Sequence, residues 1–121
     1  MAKILIVDDS ETQLYSLSKI VQDEGHEAIT ASGGEDGVQA AIDHLPDLIL
    51  MDVVMPDLNG FQATRKISKN SATANIPVIF VTTKDQETDR IWGMRQGASA
   101  YLTKPIDKKA LIGAINDALG G

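Results

Sequence analysis

The chain has 121 residues, of which 43% are hydrophobic and 23% charged, with a formal net charge of −6 and no cysteine. The length corresponds to one domain, and the lack of cysteine excludes disulfides and cysteine nucleophiles. The apolar stretches are too short for a membrane span or a secretory signal and there is no long block of Lys or Arg, so we expect a cytoplasmic protein with no membrane insertion and no nucleic-acid partner.

Short apolar runs alternate with segments of helical periodicity along the whole chain. The first, third and fourth runs are apolar at nearly every position, as in parallel strands that helices cover on both faces. The pattern predicts a single α/β domain over residues 1–121, with a doubly wound five-stranded parallel sheet, five helices and no output domain. Each predicted strand is followed by a helix, and the strands lie at about 3–8, 27–31, 47–52, 76–81 and 99–103.

Several helix ends carry their own signals. Ser10–Gln13 and Ser32–Glu35 have the spacing of capping boxes, in which a hydroxyl and a Glu or Gln side chain satisfy backbone N–H groups reciprocally. Asp107 is placed to cap the last helix, and Gly25 and Gly97 are typical of residues that end a helix.

Polar residues follow the apolar runs where an open α/β sheet places its ligand site, beyond the carboxyl ends of the strands. Asp8 and Asp9 end the first run and Asp52 ends the third. Thr82 ends the fourth run, and Lys104 ends the fifth. If these strands are neighbours, three acids, a hydroxyl and an ammonium group share one edge of the sheet.

The acids at this edge would repel one another unless a cation joins them. At about 5 Å and an effective dielectric constant near 20, each pair of carboxylates repels by roughly 3 kcal/mol. Mg²⁺ suits such oxygen ligands and shares itself with phosphate oxygens. With the metal bound, Asp52 can act as a nucleophile and accept a phosphoryl group, while Lys104 and Thr82 contact its oxygens.

These motifs resemble the receiver domain of two-component response regulators, and the resemblance covers essentially the whole chain. It implies a flavodoxin-like, CheY-like fold with strand order 2-1-3-4-5. It also implies a regulatory domain that is not an enzyme beyond catalysing its own phosphorylation and dephosphorylation. The resemblance rests on Val7-Asp8-Asp9, Met51-Asp52, Met55-Pro56, Asn59-Gly60, Val81-Thr82-Thr83, Gly97-Ala98 and Lys104-Pro105.

The resemblance also implies roles for the acids. Asp52 would be the phosphoacceptor, and its phosphoryl group would come from a histidine kinase or a histidine phosphotransfer domain. Mg²⁺ would be held by Asp9, by Asp52 and by the backbone carbonyl of Val54, with Asp8 acting largely through water.

A switch is implied by the same resemblance. Thr82 would be its hydroxyl and Tyr101 the aromatic side chain that changes rotamer with it, while Lys104 would contact the phosphoryl group and precede a cis bond to Pro105. The switch would reshape a partner surface on the fourth helix, fifth strand and fifth helix, residues 85–119, for a downstream protein target. Trp92, on the fourth helix, is expected to be a packing residue.

A finer resemblance connects the chain with stand-alone PilH-type regulators of twitching motility and the type IV pilus chemosensory system. It implies phosphorelay signalling of a chemotaxis-like kind. Its motifs are Asn59-Gly60-Phe61-Gln62-Ala63-Thr64-Arg65, the segment 81–89, Trp92-Gly93, Arg95-Gln96-Gly97-Ala98 and Tyr101-Leu102-Thr103-Lys104-Pro105.

Three alternative functions stay open at this point. The chain could drain phosphate from a shared kinase, acting as a phosphate sink, instead of regulating a target. A flavodoxin-like nucleotide-binding module is disfavoured because Asp8 and Asp9 put negative charge where a phosphate would sit. An aspartate-based phosphatase is disfavoured because Val54 stands where such enzymes place a second acid, two residues after the nucleophile.

Overall fold

Five parallel strands form one sheet in the computed structural model, which describes residues 1–120; Gly121, included in the predicted domain, lies outside the described residues. The strand order is β2-β1-β3-β4-β5, which confirms the expected fold. The strands are β1 (Lys3–Val7), β2 (Glu27–Ala31), β3 (Leu48–Met51), β4 (Val78–Thr82) and β5 (Ala100–Thr103).

A helix follows every strand, as the periodicity predicts. The helices are α1 (Glu11–Asp23), α2 (Gly34–His44), α3 (Gly60–Lys69), α4 (Glu87–Arg95) and α5 (Lys108–Ala118). Within residues 1–120, none of these helices is both long and apolar enough to cross a membrane.

The core consists of two apolar layers, one on each face of the sheet. On one face β1, β3 and β4 pack against Leu17 and Val21 of α1 and Leu111 and Ile115 of α5. On the other face they pack against α2 and α3, where Ala63 is fully buried. The central strands are therefore buried on both sides, which explains their continuous apolar sequence.

Most of the predicted helix ends are confirmed. Ser10 accepts a hydrogen bond from the Gln13 amide, and Asp107 accepts one from the Lys109 amide. The reciprocal half of the capping box predicted at Ser10–Gln13 is wrong, because the Ser10 amide donates to Oδ1 of Asp8 at 2.9 Å instead. Gly25 and Gly97 follow α1 and α4 with φ angles of +86° and +91°, a left-handed conformation that favours glycine.

The predicted capping box at Ser32–Glu35 is wrong. Helix α2 begins at Gly34 with Gly33 in the capping position, and glycine has no side chain to accept its amides. Asp57, from the loop between β3 and α3, accepts them instead, from Gly34 at 3.2 Å and from Glu35 at 3.0 Å. The local pattern was overridden by a contact between residues far apart in sequence.

Candidate functional site

Three carboxylates converge where β1 and β3 end. The two strands are neighbours, with Val7 paired to Met51, so the residues that follow them meet at one edge. One carboxylate oxygen from each of Asp8, Asp9 and Asp52 lies within 4.8 Å of the others. Asp8 and Asp52 are buried, whereas Asp9 is exposed. The structure thus brings together the three acids that the sequence predicts to meet.

Lys104 reaches this cluster from the end of β5. Its Nζ lies 2.7 Å from Oδ2 of Asp8 and 3.7 Å from Oδ2 of Asp52, and its side chain is only 11% exposed. The Lys104 amide donates to the Thr82 carbonyl at 2.8 Å, which fixes the start of the following loop. The bond between Lys104 and Pro105 is cis, as expected.

Asp52 is a buried carboxylate whose charge is poorly compensated. Burial raises its pKa first of all, and the nearby charge of Asp8 raises it further. Lys104, the Val53 amide and the Thr82 hydroxyl act in the opposite direction without cancelling the rise. The Val53 amide donates to Oδ1 of Asp52 at 2.8 Å, so the side chain is held in one orientation.

The donor set of the cluster fits a small hard cation. Carboxylate oxygens are the ligands that Mg²⁺ prefers, and three of them converge around one point that is open to solvent on the side of Asp9. A divalent cation there would offset both the burial of Asp52 and its repulsion by Asp8. Asp8, Asp9 and Asp52 are the side chains that could hold it.

Thr82 and Tyr101 are joined through the backbone of Lys84. The Lys84 amide donates to Oγ1 of Thr82 at 3.2 Å, and the Tyr101 hydroxyl donates to the Lys84 carbonyl at 2.8 Å. Thr82 is fully buried and Tyr101 is 4% exposed. The buried environment, together with Asp89 and other acids, raises the pKa of Tyr101 to about 12.

The aromatic ring of Tyr101 lies in space that Gly93 leaves open. A Cβ atom at Gly93 would stand 2.6 Å from Cδ2 of Tyr101, closer than van der Waals contact permits. The next residue towards the N-terminus, Trp92, is 46% exposed, so its side chain is half-buried and lies outside the core. The exposed part of the Trp92 side chain is accessible for contacts at the protein surface.

Two residues near Asp52 received no role from sequence reasoning. A Cβ atom at Gly60 would stand 2.1 Å from the Asp52 carbonyl oxygen, so glycine is required for α3 to start this close to the acid. Asn59 caps α3 in a capping box with Gln62. The same spacing rule that was applied to Ser10 would have found this box. Val54, two residues after Asp52, has a half-exposed side chain.

The residues from 4 to 116 match the family of response regulator receiver domains. The chain belongs to this family. This receiver domain is 56% identical over 121 residues to the protein PilH of Pseudomonas aeruginosa, with all of both chains covered.

Solved structures agree with the assignment. The chemotaxis protein CheY4 of Vibrio cholerae superposes with a TM-score of 0.90 at 30% identity, over 98% of each chain. The receiver domain of the sensor histidine kinase PA1611 from Pseudomonas aeruginosa superposes with a TM-score of 0.91 at 27% identity, over 99% of this chain and 98% of that one. The latter structure has a magnesium ion coordinated in its active-site cleft.

Proposed function

We propose that this receiver domain accepts a phosphoryl group on Asp52 from a phosphohistidine of a histidine kinase or histidine phosphotransfer domain, with Mg²⁺ as cofactor. The observation that carries the proposal is the placement of Asp52, a buried carboxylate with a raised pKa between Asp8, Asp9 and Lys104. Because burial makes the charged form of Asp52 costly, a cation bound beside its carboxylate would stabilise that form.

In the proposed site, Asp9, Asp52 and the Val54 carbonyl hold the metal, and Asp8 acts through water. Bound Mg²⁺ supplies charge neutralisation for the phosphoryl oxygens. The Asp52 carboxylate forms the new P–O bond while the P–N bond to the donor histidine breaks, and the ring nitrogen keeps the electron pair. Water later attacks phosphorus, and the P–O bond to Asp52 breaks to regenerate the carboxylate.

Lys104 provides the second positive charge for the transferred group. Its ammonium is held by Asp8 at 2.7 Å and lies 3.7 Å from Asp52, so a short movement brings it to a phosphoryl oxygen. Thr82, buried beside the site, donates its hydroxyl to another oxygen.

Phosphorylation would be transmitted through the link between Thr82, Lys84 and Tyr101. When Thr82 turns towards the phosphoryl group, the Lys84 amide loses its acceptor and the segment after β4 is free to move. The Tyr101 hydroxyl donates to the carbonyl oxygen of the same residue, Lys84, and the Tyr101 side chain is already buried in this structure. The proposed switch is therefore a shift between populations with the Tyr101 ring buried and exposed.

The partner surface is proposed to be residues 85–119, on α4, β5 and α5. Three apolar side chains of α4 are 42–46% exposed there, which favours a protein target over a solvated face: Ile91, Trp92 and Met94. The 56% identity to PilH supports a role for this domain in pilus or chemotaxis-like signalling in the cytoplasm.

Labelling with a small acyl phosphate tests the proposal. Wild-type protein with Mg²⁺ should gain one acid-labile phosphate by mass spectrometry, and Asp52→Asn should gain none. Asp85→Asn, which alters an exposed acid outside the cluster, should label as wild type does. Equal labelling of wild type and Asp52→Asn would refute the assignment. The decay of the label also separates a regulator with a persistent phosphate from a phosphate sink that loses it rapidly.

A further inference from the structure

The carboxylate of Asp57 joins two parts of the domain that are distant in sequence. Its two oxygens accept the amides of Gly34 and Glu35, the first two residues of α2, at 3.2 and 3.0 Å. The amides of Glu35, Leu58 and Gly34 lower the pKa of Asp57, so the side chain is held in its charged form. We call these two hydrogen bonds the Asp57 clasp.

The clasp acts on the segment 53–60, which connects the phosphoacceptor to α3. At its far end the Gly60 amide donates to the Val53 carbonyl at 2.9 Å, and the Cα of Gly60 lies against the Asp52 carbonyl. In the middle, the backbone of Leu58 touches α2 closely, since a Cβ atom at Gly34 would stand 2.1 Å from the Leu58 carbonyl oxygen. The segment is thus held by α3 on one side and by α2 on the other.

A simple helix cap would not need this arrangement. A capping side chain normally comes from the residue just before the helix, and in α2 that residue is Gly33, which has no side chain. The cap comes instead from a residue 23 positions away, in the loop that begins at the phosphoacceptor. The hydrogen bonds therefore constrain the loop as much as they stabilise the helix.

We propose that Asp57 is a positioning residue for the metal and phosphoryl site. The clasp holds segment 53–60 so that the Val54 carbonyl keeps its place beside Asp52, and loss of the clasp weakens Mg²⁺ binding. This inference rests on the proposed function, in which Val54 supplies a metal ligand. Because coupling between two sites is reciprocal, Mg²⁺ binding should in turn strengthen the clasp.

Titration calorimetry with Mg²⁺ tests the inference on matched variants. Asp57→Ala should raise the Mg²⁺ dissociation constant about tenfold, as loss of a residue that orients a metal ligand commonly does. Asp57→Asn should recover most of the affinity, because its amide oxygen still accepts an N–H. Asp47→Ala is the control: Asp47 is also exposed and accepts a distant backbone N–H, from Lys3 at 2.8 Å, at the opposite edge of the sheet. It should leave the constant unchanged.

Amide hydrogen exchange of the wild type gives a second measurement that needs no variant. Mg²⁺ should slow exchange at Gly34 and Glu35 more than at Lys3, whose amide is capped by Asp47. Equal Mg²⁺ affinity of Asp57→Ala and wild type, or equal Mg²⁺ effects at these three amides, would reduce Asp57 to a helix cap. Phosphorylation is a separate readout: a wild type that binds Mg²⁺ but takes no label would overturn the proposed function and leave the affinity comparison intact.

Discussion

The ammonium group of Lys104 forms a buried ion pair with Asp8, at 2.7 Å, and lies a full ångström farther from Asp52. The side chains of Lys104 and Asp8 are 11% and 2% exposed. Without a bound cation, the ammonium group of Lys104 is therefore paired mainly with Asp8 and not with Asp52. In the proposed reaction, a cation bound by the acids would weaken this pair and release Lys104 towards the phosphoryl group.

Substitution of Lys104 should cost stability in the absence of metal. Lys104→Met removes one partner of a buried ion pair and leaves Asp8 with an uncompensated charge, so unfolding free energy should fall by about 3 kcal/mol. Mg²⁺ should restore part of this loss, since it supplies positive charge to the same acids. Denaturant titrations with EDTA and with Mg²⁺ measure both effects. Lys108→Met, at an exposed lysine, is the control and should change little.

Removal of the Asp52 charge should stabilise the metal-free fold. Asp52→Asn keeps the shape of the side chain and relieves both its burial as a charge and its repulsion by Asp8, so the unfolding free energy should rise by about 1 kcal/mol. With Mg²⁺ the order should reverse, because the wild type gains binding energy that the variant lacks. Thermal melts in EDTA and in Mg²⁺ give the comparison. A variant that is less stable than wild type in both buffers would contradict the expectation.

The stability of the metal-free protein should depend on pH through Asp52. Its folded-state pKa is raised above the ordinary 3.8, so the folded protein takes up the proton first. The destabilisation of the folded protein by the charged Asp52 side chain is fully present above the folded-state pKa. It disappears as the pH falls from that value to 3.8, the ordinary pKa. The stability difference between Asp52→Asn and wild type should therefore shrink in that window. A difference that stays constant with pH would show that Asp52 is not under electrostatic stress.

The charge of Asp57 should stabilise the folded protein, in contrast to the charge of Asp52, and this stabilisation should be lost in acid. The folded-state pKa of Asp57 is lowered, so its stabilising effect is present above 3.8 and is lost as pH falls through the folded value. The stability difference between wild type and Asp57→Asn should therefore diminish in acid. Denaturant titrations of the two proteins at several pH values below 5 measure it, and a difference that grows in acid would contradict the clasp's charged form.

A methyl group at position 93 should push the Tyr101 ring out of its site. The Cβ atom of Gly93→Ala would stand 2.6 Å from the Tyr101 ring. Displacement of the ring should break the hydrogen bond from the Tyr101 hydroxyl to the Lys84 carbonyl and expose that hydroxyl. The pKa of Tyr101 should fall from about 12 towards its ordinary value of 10.0. Absorbance titration in a Tyr15→Phe background follows this group alone, since the chain has two tyrosines.

The control for this substitution is Gly113→Ala in α5. A Cβ atom there meets nothing within 4 Å, so the change should stabilise the protein by about 0.5–1 kcal/mol and leave the pKa of Tyr101 at about 12. Overpacking at Gly93 should instead destabilise it by about 1–3 kcal/mol. An unchanged pKa of Tyr101 in Gly93→Ala would mean that α4 moves and the ring stays.

The elements and the composition of the site could be predicted from local signals. Continuous apolar runs identify strands buried on both faces, and Ser10, Asp107, Gly25 and Gly97 mark helix ends because capping acts within a few residues. The observed strands lie within two residues of the predicted bounds. The roles assigned to individual site residues by family resemblance remain predictions for the labelling and binding experiments.

The sequence by itself determined which residues stand at the ends of the strands, because periodicity and strand-end position are local properties. Only the tertiary structure decided which of these residues are buried and which form pairs. Asp8 is buried against Lys104, 96 positions away, while its neighbour Asp9 is exposed. The tertiary structure also decided that Asp57 caps α2. Such contacts depend on how helices and loops pack across the sheet, and no spacing rule along the chain encodes them.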